Sequence, residues 1–411
     1  MFYGWVIVAG VFVAQFFMMG FFTYGFPLLV APVQEEFGAS VTDVQIGISA
    51  GALVGMVAAP ILGPLADRWS ARGMIIIGAL LLVASLVLMS VSTSVYLFAG
   101  VMATGMSGAN LLLGPITGST LVSRWFKASR GRALGVAATG TSIGGVVVPL
   151  FLGSWIASMG WRGGLQMVAG CVTVLVIPLL VFGVRDDPSD RGLFPDGAES
   201  APASSSETAA AARSWTTADV LRSPAYWLIG CSLGLLFLAY IGVLSNLHKY
   251  ATALGVEVDS ATLLISVIAA SGFIGKLIFG WAADRISLPV GLWGAQLLAA
   301  AGITLFSFEP EFGSMVLAST LMGLAAGGML PVWGAMVAAA FGVASYGRVM
   351  GLIMPVISVF SFPGPVLAAT SMDETGSYQM AMRGFVLAIA VAALLLLPLR
   401  LEAGSPSAEG P

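Results

Sequence analysis

Gly63-Pro64-Leu65-Ala66-Asp67-Arg68-Trp69-Ser70-Ala71-Arg72-Gly73 closes one long apolar run, and Gly280-Trp281-Ala282-Ala283-Asp284-Arg285-Ile286-Ser287 closes another. The leading glycines stand 217 residues apart, and each follows the second apolar run of its half. A charged turn repeated at the same place in two halves predicts duplicated helix bundles, the arrangement in which one half rocks against the other about a central site.

Composition agrees with that reading. Of 411 residues 58% are hydrophobic and only 9% charged, with mean hydropathy +0.97, whereas soluble domains carry about 25% charged residues. Twelve apolar runs are long enough to span a bilayer, from 4–30 to 379–399, six on each side of one polar interruption. The expected fold is an all-α membrane protein with twelve transmembrane helices in two pseudo-symmetric six-helix bundles. Its expected parts are an N-terminal bundle at 1–184, a cytoplasmic linker at 185–224, a C-terminal bundle at 225–402 and a cytoplasmic tail at 403–411. The linker is polar, rich in Pro, Ala and Ser and free of apolar period, so it reads as a mostly disordered tether with a short helix near Thr216 to Arg222.

The first run starts at Tyr3-Gly4-Trp5 with no basic leader and reads as a retained helix. With the N-terminus inside, thirteen of the 17 Lys and Arg residues fall in inner loops and three near the outer surface. This bias sets both termini in the cytoplasm of a multi-pass protein of the plasma (inner) membrane. The net charge of −3 says little about partners, because most of the surface faces the lipid bilayer, and nothing supports nucleic-acid binding. Cys171 and Cys231 lie in separate runs without metal-ligand spacing and read as buried thiols.

The remaining base, Lys276, lies in the middle of an apolar run, within Ser271-Gly272-Phe273-Ile274-Gly275-Lys276-Leu277. A charge at bilayer depth is costly and marks a substrate or ion pathway. Gly272, Lys276 and Gly280 share one helix face, which either abuts another helix or opens on a cavity. A cavity lysine attracts and neutralises an anion, as a compact point charge rather than a bidentate fork. The alternative is a side chain that snorkels toward the cytoplasmic interface. One buried cation matches a monoanion. A dianion calls for about two, and the eleventh run, Val349 to Thr370, contains no base to serve as the second.

These features resemble the major facilitator superfamily over the whole chain. Its loop pattern is similar to Gly63, Asp67, Arg68, Arg72 and Gly73, with a partial copy at Gly280, Asp284 and Arg285. Within it the chain resembles the monocarboxylate transporter and oxalate:formate antiporter branch. Four stretches carry that likeness: Tyr3-Gly4-Trp5 through Tyr24-Gly25-Phe26-Pro27 to Glu35-Glu36-Phe37-Gly38; Ser123-Arg124-Trp125-Phe126 with Arg130-Gly131-Arg132-Ala133-Leu134-Gly135; Gly160-Trp161-Arg162; and Asn246-Leu247-His248-Lys249-Tyr250. The resemblance implies that Asp67, Arg68, Arg72, Asp284 and Arg285, with Gly63 allowing close approach, form a latch at the inside gate. It also implies an arginine in the eighth helix and an aspartate one turn earlier. This chain has Lys276 and Gly272 there, so carboxylate binding is expected and the usual coupling carboxylate is gone.

All 20 acids fall outside the runs. The coupling candidates are therefore Lys276 and His248, the single histidine, which lies near the outer end of the seventh run and is also a substrate-binding candidate, with an interfacial residue of no duty as the alternative. Tyr24, Asn110, Asn246 and Trp333 are further candidates to surround the anion, with plain helix packing as the alternative for each. The expected function is secondary transport of a small monocarboxylate by alternating access, coupled to protons or run as anion exchange. The second reading is a proton-coupled exporter of drugs or other amphiphiles. Neither a nucleophile with its base nor a metal-ligand set is present, so no enzyme activity and no cofactor are expected. The partners are a small organic anion, protons as the coupling ion, and lipid; a monomer is expected because one chain holds both halves.

Overall fold

The computed structural model describes residues 2–197 and 215–399. The expected tail at 403–411 and the middle of the expected linker lie outside them. The described elements are helices, with no strand among them. Apolar helical runs long enough to cross a membrane are α1 (Gly4–Gly25), α2 (Ile46–Arg68), α3 (Ala71–Ser90) and α4 (Val95–Trp125), then a continuous run, Arg130–Gly183. This 54-residue run is broken by Gly160 at φ 76°, in the left-handed region that favours glycine, and so supplies two spans, α5 before the break and α6 after it. The chain continues with α7 (Pro224–Ala253), α8 (Ser260–Ala283), α9 (Leu288–Phe306), α10 (Phe312–Phe341), α11 (Val343–Thr375) and a shorter apolar helix, α12 (Gln379–Leu395). Among the described residues this makes twelve apolar helices in the order of a twelve-helix membrane fold.

The chain divides into two compact units. The first comprises the described residues up to 197 together with Val343–Pro355, the opening of α11; the second holds the rest of α7 to α12. The first half thus takes in a piece of α11 by contact, which the repeat alone does not reveal.

In a membrane, helix packing rests on close contact and on satisfied backbone groups more than on the hydrophobic effect. The first unit centres on Phe98, Met102, Met106, Leu82, Leu86 and Leu165, all fully buried. α1 crosses α5 where a side chain at Gly140 would meet the Phe12 carbonyl and one at Gly144 the Phe16 carbonyl. In the second unit, α8 and α10 pack through Gly272, Gly275, Gly323, Gly327 and Gly328. α7, α9 and α12 are tied by a polar relay: Gln296 Nε2 donates to Ser232 Oγ at 2.8 Å, and Ser232 donates to the Ala392 carbonyl at 2.9 Å.

The linker reading needs one correction. Residues 185–197 are not a tether. They carry two short 3-10 turns, Pro188–Arg191 and Pro195–Gly197, bury Pro188 and pack Leu193 against the first unit's core. Carboxylates in this stretch find main-chain N–H partners on distant turns, and a composition rich in polar residues does not display such partners. The short helix Thr217–Arg222 forms, with Thr216 and Asp219 in a reciprocal capping box.

Candidate functional site

The first unit contains four of the expected gating residues, Gly63, Asp67, Arg68 and Arg72, and main-chain approach governs Gly63 and Asp67. α2 meets the opening of α11 at glycines: a Cβ built on Gly63 would meet the Gly347 carbonyl and lie 3.0 Å from Gly351 Cα, and one on Gly351 would meet the Ala59 carbonyl. That approach sets Asp67 beneath the first turn of the α-helix Tyr346–Ser361. Its Oδ1 accepts from the Gly347 amide at 2.6 Å and its Oδ2 from the Arg348 amide at 2.8 Å. A carboxylate on the free N–H groups of a helix start satisfies orphan donors and complements the helix dipole.

Arg68 is exposed, and Arg72 turns elsewhere. The Arg72 guanidinium donates to the Val181 carbonyl at 2.6 Å at the end of α6, and its amide donates to Asp186 at 2.9 Å. The bases near Asp67 are instead Arg348, whose amide donates to it, and Arg124, whose Nη2 donates to the Ala66 carbonyl at 3.1 Å while Nη1 faces Asp186 and Asp187 at 3.6 and 3.7 Å. The sequence places Arg124 among the inner-loop bases and in the Ser123-Arg124-Trp125-Phe126 likeness, but assigns it no part in the latch. A usable signal existed in Ala128-Ser129-Arg130-Gly131-Arg132, which recurs as Ala344-Ser345-Tyr346-Gly347-Arg348 at a spacing of 216. It marks the helix starts whose amides an aspartate can take.

Two substrate candidates lie in the first unit. The Tyr24 ring rests on Gly145, where a side chain would come within 2.7 Å of Cε2, and Tyr24 is 42% exposed. Asn110 is half-buried on α4, and its Oδ1 is buried without a hydrogen-bond partner among the described residues. Unsatisfied buried acceptors are rare enough to need an explanation such as water or ligand.

The second unit carries Lys276. The Gly272–Lys276–Gly280 face meets α10: a Cβ at Gly327 would strike the Gly272 carbonyl and lie 2.6 Å from the Lys276 amide nitrogen. Lys276 itself is half-buried at this crossing. Trp333 is 3% exposed, and its indole N–H is a buried donor without a partner among the described residues. It lies six residues beyond Gly327 on α10, roughly 9 Å further along the axis, so it is not at the level of Lys276. Asn246 is buried and committed to packing, its amide donating to the Gly242 and Pro365 carbonyls at 3.1 and 3.2 Å. His248 is half-buried one turn before Thr252, whose hydroxyl donates to its carbonyl at 3.0 Å. Asp284 forms the C-cap of α8, and Arg285 stacks over Trp281 at 4.1 Å on the exposed surface. No group of three or more potential metal ligands occurs among the described residues.

Comparison with known proteins adds to this geometry. Mouse monocarboxylate transporter 11 is 25% identical over 387 residues, covering 92% of this chain and 83% of its own. The agnestins efflux protein AgnL12 of Paecilomyces divaricatus is 24% identical, covering 97% of this chain and 88% of its own. The fold matches the crystal structure of the human organic anion transporter MFSD10 (TETRAN) with a TM-score of 0.73 at 16% identity, over 96% of this chain and 99% of that one. The profile of the Major Facilitator Superfamily matches residues 11–308 and 232–410. Spanning helices, a duplicated charged turn and this match agree, and the chain belongs to the Major Facilitator Superfamily of membrane transporters.

Proposed function

We propose that this transporter carries a small monocarboxylate, with Lys276 as the counter-charge of the bound anion. The observation that carries the reading is the lone base in the apolar interior, held half-buried at the α8–α10 crossing. In low-dielectric surroundings one fixed cation attracts an anion strongly and repels a second cation. The relative named a monocarboxylate transporter supports the substrate class. Each unit also keeps a buried polar group without a partner among the described residues, the Trp333 indole N–H in the second and the Asn110 carbonyl in the first, and unused groups of this kind can meet a ligand.

In this reading Asp67 on the Gly347 and Arg348 amides is a latch on the cytoplasmic side, and both termini are cytoplasmic in the plasma (inner) membrane. Release of those two charge-assisted hydrogen bonds accompanies opening toward the cytoplasm. With acids only at the ends of the spans, Asp67 in α2 and Asp373 and Glu374 in α11, coupling runs through Lys276. In symport a proton and the anion load it together; in exchange it stays charged, and the empty carrier reorients poorly.

A second reading, export of apolar or aromatic amphiphiles, is favoured by one observation. A cavity of about 410 Å³ in the first unit is lined by Phe12, Phe16, Phe17, Phe151 and Trp155 with almost no polar surface. The efflux relative agrees with it.

The deciding experiment is carboxylate uptake into proteoliposomes by Lys276→Gln and Lys276→Arg. The Gln variant inserts normally and loses uptake, whereas the Arg variant keeps part of it. Full uptake by Lys276→Gln removes Lys276 from the substrate site.

A further inference from the structure

The segment 185–197 is fastened to the first unit at two points. At the near end, Asp186 accepts from the Ser70 hydroxyl at 2.5 Å and the Arg72 amide at 2.9 Å, so it grips the turn between α2 and α3. Trp125 at the end of α4 donates its indole N–H to the Arg185 carbonyl at 3.1 Å. At the far end, Asp196 accepts from the amides of Lys127, Ala128 and Ser129 at 2.8, 2.7 and 3.2 Å and from the Ser129 hydroxyl at 2.7 Å. Four donors converge on one carboxylate in the turn between α4 and α5. Between the two points Arg191 stacks over the Tyr3 ring at 3.9 Å, and Phe2 packs on Gly197.

Arg124 stands where this segment meets the latch. One of its nitrogens faces Asp186 and Asp187, and the other holds the Ala66 carbonyl, one residue before Asp67. Asp186 and Asp187 are the carboxylates that this guanidinium faces. Without them Arg124 has Asp67 as the adjacent carboxylate, and an ion pair formed there draws Asp67 off the Gly347 and Arg348 amides.

We propose that residues 185–197 are a strap over this face of the first unit, that Asp196 is the positioning residue fastening its far end, and that its release loosens the Asp67 latch through Arg124. The proposal rests on the reading of Asp67 as a latch, but not on the substrate.

The test uses the full chain in liposomes with Cys171 and Cys231 replaced by alanine, and measures modification by a membrane-impermeant maleimide that needs no substrate. A Leu193→Cys reporter reads the strap. A Val349→Cys reporter, at a fully buried position of α11, reads the latch. Adding Asp196→Ala raises both labelling rates by about tenfold, the scale of one or two lost charge-assisted hydrogen bonds. A rise at the strap reporter alone overturns the coupling to the latch, and no rise at either overturns the fastening. Should Asp196→Ala fail to fold, Ser129→Ala removes one of the four donors and gives a smaller rise at both reporters. Unchanged rates in that variant overturn the proposal. Loss of carboxylate transport in the unmodified protein leaves these rates as they are, so the two readings fail separately.

Discussion

At matching ends of their helices the two units meet the same demand with different chemistry. In the first, Glu36 accepts from the Trp161 indole at 2.6 Å and from Arg162 at 2.7 and 3.1 Å, while Arg162 also donates to the Ser90 and Ser92 carbonyls at 2.6 and 2.7 Å. The guanidinium lies over Trp161, 4.4 Å from the ring centroid. In the second, Tyr378 and Ser307 stand 217 residues after Trp161 and Ser90. There the Tyr250 hydroxyl donates to the Phe306 carbonyl at 2.6 Å, Tyr250 and Tyr378 meet edge to face, and Ser377 donates to Glu309. The first unit ties its ends with an ion pair and leaves its membrane interior uncharged. The second uses tyrosine and serine at its ends and carries the one interior base. Under the proposed function this contrast becomes a division of labour, with the first unit as frame and the second as bearer of the interior charge.

The largest effect that sharpens this contrast belongs to the interior of the second unit. Gly327→Ala places a methyl against main-chain atoms of Gly272 and Lys276, which cannot retreat as a side-chain tip can. We expect a loss of about 2–3 kcal/mol in stability together with lost uptake, read by thermal unfolding and transport. Gly384→Ala in the same unit meets nothing within 4 Å and is the control, expected to unfold like the parent.

Next in size is the frame. Arg162→Ala leaves Glu36 with only the Trp161 indole and removes the donor from the Ser90 and Ser92 carbonyls. Because the ion pair is partly open to solvent, we expect a loss of about 2 kcal/mol rather than the larger cost of a buried pair. Tyr250→Phe removes one neutral hydrogen bond and costs about 1 kcal/mol. Equal shifts in melting temperature would erase the distinction between the units.

The smallest effect is one of pH. The Arg162 hydrogen bond, opposed by slight burial and assisted by Trp161, holds the Glu36 carboxyl below its ordinary value. A depressed carboxylate stabilises the fold above its unfolded pKa, and that contribution is lost as pH falls through the folded value. Protection factors at 160–164, taken against the intrinsic exchange rate at each pH, therefore fall between neutral pH and about pH 3, whereas those at the tyrosine joint near 378 change less. Asp196 follows the same sign. Burial raises its pKa, but the amides of Ala128, Lys127 and Ser129 and the Ser129 hydroxyl overcome that and hold it low, so the strap loosens only in acid.

Much of this was legible in the sequence. Twelve apolar runs and the turn repeated at Gly63 and Gly280 lead to the fold, and an interior lysine is conspicuous in any run of apolar residues. The partners of Asp67 were not legible, because they are main-chain amides and every residue but proline has one. Arg72 illustrates the same limit: its charge suggested pairing with Asp67, but the end of α6 supplied a carbonyl in reach. Asn246 is polar in an apolar helix for a packing reason, since it bonds a carbonyl of its own helix and one at Pro365. The strap was hidden because its polar, proline-containing sequence is also that of a tether. Only the positions of Ser70, Arg72 and Lys127 to Ser129 in space show what Asp186 and Asp196 do.

The central claim is that one interior cation selects a singly charged carboxylate. It is tested most directly by uptake of radiolabelled monocarboxylates and dicarboxylates into proteoliposomes, with and without an inward proton gradient and with and without internal carboxylate. The account predicts monocarboxylate uptake driven by the gradient or by internal anion, and little dicarboxylate uptake. Absence of carboxylate uptake under all conditions, with expulsion of an aromatic amphiphile driven by the same gradient, would contradict it.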